Sequence, residues 1–273
     1  MMWDDELDVV CCGPGFAALA AAIAAADADL EVEVARGAGA GQAGTPWLGR
    51  GIDDPETREY LDELVADQNS RPDLPEADIE IRALRQWAPA GPKTPVETFH
   101  GAHLRDWAGQ CLRSPYGLLY TRLTERGGVP METETGETIE ANVLGPIELP
   151  AGGGASAAVD EWLLTQVRER DISSYDDALD RIVFEEGEIV GVVLSTADGP
   201  RAVRVRHGVA LSTEAAPMGS GRRVDTAQTL RVALVGRSAS RFSRVELLTA
   251  PSDGGRDGHV RGNGAVRSHA WSG

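Results

Sequence analysis

Leu7-Asp8-Val9-Val10-Cys11-Cys12-Gly13-Pro14-Gly15-Phe16-Ala17-Ala18, an alanine-rich run after it and then Leu30-Glu31-Val32-Glu33-Val34-Ala35-Arg36 together decide how the N-terminal part of this chain folds. Residues 7–12 are short, apolar and stopped by Gly13, which predicts a buried parallel strand. Residues 16–28 are helix formers with hardly a polar side chain before Asp27, and residues 30–35 predict a second strand. In such a turn the first glycine lets the chain reverse and the second lets backbone approach a pyrophosphate. The third position must be small so that helix and strand pack closely. Gly13, Gly15 and Ala18 meet those demands, and the free N–H groups at the helix start face an anion. Gly13, Pro14, Gly15, Phe16, Ala17 and Ala18 are therefore the candidate phosphate-binding segment of an α/β fold, a reading that rests on the flanking strands and helix.

One position departs from that pattern. A carboxylate normally closes the second strand, about 20 residues beyond the loop, and accepts hydrogen bonds from ribose hydroxyls. Here the place falls on Arg36; Glu33, three residues earlier, alternates to the opposite face of the strand. Arg36 either meets a 2′-phosphate, as in NADP sites, or marks a unit that keeps its packing without tight nucleotide binding.

The 273 residues can bury a substantial core, and 42% hydrophobic content is that of a globular protein. A net charge of −17 argues against attraction to nucleic acid or an anionic membrane surface, and 5% aromatic content leaves few stacking platforms for single strands. Acids at Asp4, Asp5 and Glu6 occupy the place where a secretory signal carries positive charge, so a cytoplasmic location is expected. The longest apolar stretch, residues 16–26, is too short for a membrane span. Cys11, Cys12 and Cys111 make no disulfide framework, and with no CxxC or paired-ligand spacing no metal site is expected. Lys93 is the only lysine, so no P-loop lysine or Schiff-base candidate exists.

Along the chain, residues 37–46 read as a glycine-rich connection. Asp53-Asp54-Pro55-Glu56 reads as the start of a helix to about residue 67 that buries Tyr60, Leu61, Leu64 and Val65. Residues 68–99 are expected to form loops around a short helix at 79–87. Residues 95–150 read as a small inserted α+β subdomain, with an exposed hairpin at 131–140. Gly152-Gly153-Gly154 precedes an amphipathic helix, residues 155–170, with Val159, Trp162, Leu163 and Val167 on its apolar face. A hairpin follows, with strands at 182–184 and 189–194, then a strand pair, 201–206 and 208–211, leading into Ser212-Thr213-Glu214. The expected organisation is one dinucleotide-binding domain from residues 1–94 and 151–250, the insert at 95–150, and a disordered tail at 251–273.

In this order the chain resembles the FAD-dependent oxidoreductases that include fumarate reductase and succinate dehydrogenase flavoproteins and ketosteroid dehydrogenases. The resemblance is carried by residues 3–10 with the 13–18 loop, by Asp54-Pro55-Glu56-Thr57-Arg58-Glu59-Tyr60-Leu61, by residues 152–154 with their helix, by the hairpin at 184–193, and by Gly208-Val209-Ala210-Leu211-Ser212-Thr213. It implies a Rossmann-like FAD-binding domain, FAD as cofactor, and an oxidoreductase acting on a small or steroid-like substrate. By position it adds Leu179 and Thr213 to the cofactor-binding candidates. Arg36 replaces the family's ribose-binding glutamate, and Ser212-Thr213-Glu214-Ala215 replaces its Ala-Thr-Gly-Gly sequence. The resemblance is thus to a short, divergent member, either an oxidoreductase or a non-catalytic relative serving as an interaction or scaffold subunit.

Reactive side chains are densest at residues 97–107 and 114–122. On a helix, His100, His103 and Asp106 share one face that could hold a metal or a carboxylate, but Gly101 weakens that helix and a solvated face is the favoured reading. Tyr116, Tyr120 and Arg122 are the candidate catalytic residues, because related flavoenzymes hold substrate carboxylates with Arg and move protons with Tyr; packing of the inserted subdomain is the alternative reading of all three. No GxSxG elbow surrounds Ser212 or Thr213. The expected partner is a small-molecule substrate or another protein.

Overall fold

Four parallel strands, residues 199–212, 5–12, 32–35 and 173–175 in that spatial order, form one half of the sheet. The computed structural model describes residues 2–37, 48, 51–66, 79–87, 101–122, 128–149, 151–213 and 228–249. In it β1 (Asp5–Cys12) leads through the 13–15 turn into α1 (Phe16–Ala26) and β2 (Val32–Ala35). The chain continues with α2 (Pro55–Val65), β3 (Ile81–Ala83), α3 (Gly101–Arg113), β4 (Gly117–Tyr120), β5 (Val129–Glu132) and β6 (Thr138–Leu149). It then forms α4 (Ala155–Glu169), β7 (Ser173–Tyr175), β8 (Ala178–Glu185), β9 (Glu188–Thr196), β10 (Gly199–Ser212), β11 (Gln228–Gly236) and β12 (Phe242–Thr249). The second half of the sheet is antiparallel, β5-β6-β11-β12-β4, and joins the first where β4 pairs with β10. This is a mixed α/β sheet with helices on both faces.

Cys11 and Cys12 show how the two faces divide. Cys11 packs with α1, α4, Tyr116 and Leu118, whereas Cys12 packs with Leu61, Trp107 and the β8–β9 hairpin. Alternation along a strand requires this split. Both thiols are fully buried, and burial pushes both well above the ordinary thiol range, so neither is a nucleophile at neutral pH. α1 offers the sheet mainly alanine methyls, with Leu19 and Ile23 fully buried, so its backbone approaches the strands closely.

Four readings from sequence change. Residues 79–87 form no helix: β3 runs parallel to β12, and Leu84 bridges to Thr133. The strand pair at 201–211 is one strand, β10, whose register against β1 shifts between Leu7 and Val9. Gly208, at φ +125°, absorbs that shift without ending the strand. The 131–140 hairpin exists as β5–β6 but is buried on one face through Met131, Ile139 and Ala141. α1 ends at Ala26, two residues early, with Asp27 as its C-cap. Within residues 95–150, β4 lies between β10 and β12 and β6 pairs with β11, all in the same sheet. The tail at 251–273, Glu214 and most of the 37–46 connection lie outside the described residues.

The candidate phosphate site

Gly13 at φ +111° turns the chain out of β1, and its N–H donates to Ala35 O at 2.9 Å, so the ends of β1 and β2 are held together. Gly15 is the N-cap of α1 and supplies no side-chain cap. Gly154 does the same for α4. The two helices lie side by side in the same direction: after their C-termini, Arg170 grips Asp27 through two hydrogen bonds of 2.7 and 3.2 Å. Their N-termini therefore share one end of the sheet, the end where β1, β2 and β10 finish. Two helix dipoles and their uncapped N–H groups make that end attractive to an anion.

Arg36 adds a full positive charge there. It follows directly on β2, donates its backbone N–H to Tyr175 O at 2.8 Å, and sends its guanidinium back over the turn. Nη2 reaches Pro14 O at 3.4 Å and the group lies 5.5 Å from the centre of the Phe16 ring. Glu33 is unavailable as a substitute ribose ligand. It is buried on the other face of β2 in an ion pair with Arg201, and burial raises its pKa.

β10 closes the site from the other side. Ser212 is fully buried and its Oγ accepts the Gly15 N–H at 3.2 Å. Thr213 is buried as well; its N–H donates to Gly117 O at 3.0 Å and its hydroxyl to Cys111 O at 3.2 Å. Leu179 is a buried residue of β8 opposite Leu194, packed in the core on the face away from α1.

The three residues read as catalytic are distributed along β4 rather than gathered. Tyr116 immediately precedes β4 and is fully buried; its hydroxyl lies 2.8 Å from Asp160 Oδ1 and 3.2 Å from Ser156 O. Tyr120 is half-buried opposite Ala210. Arg122 lies beyond the other end of β4, donating to Ile189 O at 2.6 Å and Arg206 O at 3.2 Å, with Glu188 at 3.7 Å. His103 and Asp106 are exposed on α3, and His100 lies outside the described residues. Among the described residues no cluster of three His, Cys, Asp or Glu could hold a metal, and no helix is long and apolar enough to cross a membrane.

Asp160 is the residue that sequence reading missed. Desolvation pushes its carboxyl up to about 6, against the opposing effects of the Tyr116 hydrogen bond and the Arg36 charge. Sequence alone does not separate it from its neighbour Glu161, which is exposed; the Tyr116 partner is 44 residues away.

No family model matches the chain, and no curated protein matches it. Solved structures do match. They include 3-ketosteroid-Δ4-(5α)-dehydrogenase from Rhodococcus jostii RHA1, at 19% identity over 77% of this chain and 46% of that one, with a TM-score of 0.33. A flavocytochrome c3 fumarate reductase matches at 12% identity over 77% of this chain and 34% of that one, TM-score 0.33. A myxobacterial chondrochloren halogenase described as FAD-dependent matches at 14% identity, 74% of this chain and 36% of that one, TM-score 0.29. The chain spans less than half the length of each of these relatives.

Proposed function

We propose that the protein is an FAD-binding, oxidoreductase-like protein that holds the cofactor's pyrophosphate at the turn from Gly13 to Ala18. The observation that carries this reading is the convergence of the α1 and α4 N-termini, the Gly13 turn and the Arg36 guanidinium at one end of the parallel strands. The donor set suits a diphosphate: backbone N–H groups of Phe16 and Ala17, two dipoles, and one cation. It does not suit the ribose diol, since Arg36 stands at the end of β2 and Glu33 is committed to Arg201. A bound flavin would supply hydride transfer. The chain's own residues would fix the anion and exclude water from the turn, with Ser212 holding Gly15 in place and Tyr116 keeping a proton between Asp160 and Ser156. Leu179 and Thr213 remain cofactor-contact proposals by position, and a small-molecule substrate near β4 is proposed with them. Purified protein is expected to be yellow, absorbing near about 450 nm as protein-bound oxidised flavin does. Colourless protein that takes up no FAD at micromolar concentration would sink the proposal.

A second reading, a non-catalytic relative acting as an interaction subunit, is favoured by one contact: the Gly15 amide is already satisfied by Ser212. It predicts a folded, colourless protein whose thermal unfolding is unmoved by added FAD.

A further inference from the structure

We propose that β3 is an exchangeable strap: it closes the antiparallel half of the sheet into a barrel, and the slot it fills accepts the same segment from a second copy of this chain. β5 lies at the end of the strand order β5-β6-β11-β12, yet the end of its outer edge meets the chain leaving β3. β3 pairs with β12 through Ile81, Arg82 and Ala83, and just beyond it Leu84 bridges to Thr133 at the end of β5. On the β5 side, Arg85 N donates to Glu132 O at 2.9 Å and Glu134 N donates to Ala83 O at 3.0 Å. On the β12 side, Leu247 N donates to Glu80 O at 2.8 Å and Leu84 N to Thr249 O at 3.1 Å. Five strands thus make a ring, β3-β12-β11-β6-β5, which the shortest of them completes.

The side chains make the strap both specific and releasable. Arg82 lies on the same strand face as the fully buried Leu84 and binds two acids: Glu246 of β12, at 2.6 and 3.0 Å, and Glu137 in the turn between β5 and β6. Glu246 is fully buried, and removing a sole cation from such a group would leave a costly bare charge. It has a second cation. Arg244, on β12 itself, donates to Glu246 Oε1 at 2.6 Å, and Glu137 likewise keeps Arg237. Withdrawing β3 therefore strands no buried acid. It frees the amides of Leu247 and Glu134 and the carbonyls of Glu132 and Thr249, which are the two edges of one slot. Such a slot takes one strand, and that strand needs an arginine to meet Glu137 and Glu246 and an apolar side chain two residues on, in the place of Leu84. Residues 79–87 of a second copy meet both demands, and they also bring Trp87, over whose ring the Arg231 guanidinium of β11 lies at 4.6 Å. β3 stands between α2, ending at Val65, and α3, beginning at Gly101, so tethers of roughly 15 residues on each side, about 50 Å if extended, let it reach a neighbouring molecule.

Hydrogen exchange of the intact chain, read by mass spectrometry, tests the release. Residues 79–87 and 129–134 are expected to exchange together and about tenfold faster than β1 and β10, as a sub-global opening does. Equal rates throughout overturn the strap, because β3 then leaves only with the whole fold. The partner is tested by refolding the chain from urea at rising concentration, alone and with an excess of synthetic peptide of sequence 79–87. A dimer should grow with concentration in light scattering, and the peptide should suppress it while staying on the monomer in native mass spectrometry. A peptide carrying Arg82→Gln should be about tenfold less effective, having lost the charged hydrogen bonds to Glu246 and Glu137. Because the substitution sits in the peptide, the protein under test keeps its own fold. A chain that stays monomeric and retains no peptide overturns exchange between copies, as does a dimer that the peptide leaves untouched. Equal potency of the two peptides overturns Arg82 as the recognition contact.

Discussion

At the scale of single residues, Asp160 affects stability before any ligand arrives. Its carboxyl titrates at about 6 in the folded protein, above the ordinary value of 3.8, so between about pH 4 and 6 the folded state binds more protons than the unfolded chain. Stability contributed by this group is therefore present below pH 4, falls as pH rises through 6, and stays lost above it. Discounted for its partial exposure, the penalty at neutral pH is on the order of 1–2 kcal/mol. Urea unfolding should show Asp160→Asn more stable than wild type by that amount at pH 7.5 and equal to it at pH 4. An equal or lower stability at pH 7.5 would mean that Tyr116 and Arg36 already compensate the buried charge. Asp8 runs the other way: hydrogen bonds from the Glu31 backbone and Arg206 outweigh its burial and hold its carboxyl below the usual range.

At the scale of elements, Thr57 shows how a cap and a strand share one hydroxyl. Asp54 caps α2 by accepting from Thr57 N at 2.9 Å and Thr57 Oγ1 at 2.7 Å. The same Oγ1 accepts the buried Ile182 N–H of β8 at 2.9 Å. Thr57→Val keeps the shape but orphans that amide, and should cost about 1–3 kcal/mol in chemical denaturation; Asp54→Ala should cost about 1 kcal/mol by losing the cap alone. The start of α2 was legible because Asp54-Pro55 is a local signal, and the β1–turn–α1–β2 unit because Gly13 and Gly15 punctuate strongly periodic neighbours. β3 was not legible. Three residues paired in parallel to β12 are held by a partner more than 160 residues away, and Ile79, Ile81 and Leu84 suit a short helix equally well. Gly208 misled for a related reason, since a glycine inside a strand reads as a break until the bulge against β1 is seen. At the candidate site, the Gly13 turn into α1 and the place of Arg36 directly after β2 are legible in the sequence; the Asp160–Tyr116 contact is not, because it joins an acid on a packing helix to a residue 44 positions away.

At the scale of the whole molecule, a net charge of −17 sits on a surface where arginines bind acids in clusters. Arg206 contacts Glu6 and Asp8 of β1 and Glu31, just before β2, at 2.6–3.0 Å, and Arg201 pairs with Glu33 and Asp5. Deeper in, Glu246 is fully buried between Arg82 and Arg244, and Trp107 lies 5.4 and 5.2 Å from the guanidinium groups of Arg237 and Arg244. Salt weakens the exposed pairs but also screens the repulsion of the surplus acids, which is the larger quantity. The melting temperature should rise between 0.05 and 1 M NaCl, as the Debye length shrinks to about 3 Å. A fall would mean that the arginine clusters outweigh the net charge.

The position of β11 and β12 carries a consequence for how the protein is made. They are the last two strands in the described chain, yet they sit in the interior of the sheet, with β6 on one side and β4 on the other. A growing polypeptide leaving the ribosome presents the edges of β4 and β6 roughly 100 residues before the strands that cover them exist, a wait of about 5–20 seconds at ordinary synthesis rates. During that interval two open hydrogen-bonding edges are available to any neighbouring chain. Slowing translation past residue 149 should therefore lower the soluble yield, and a chaperone that shields strand edges should restore it.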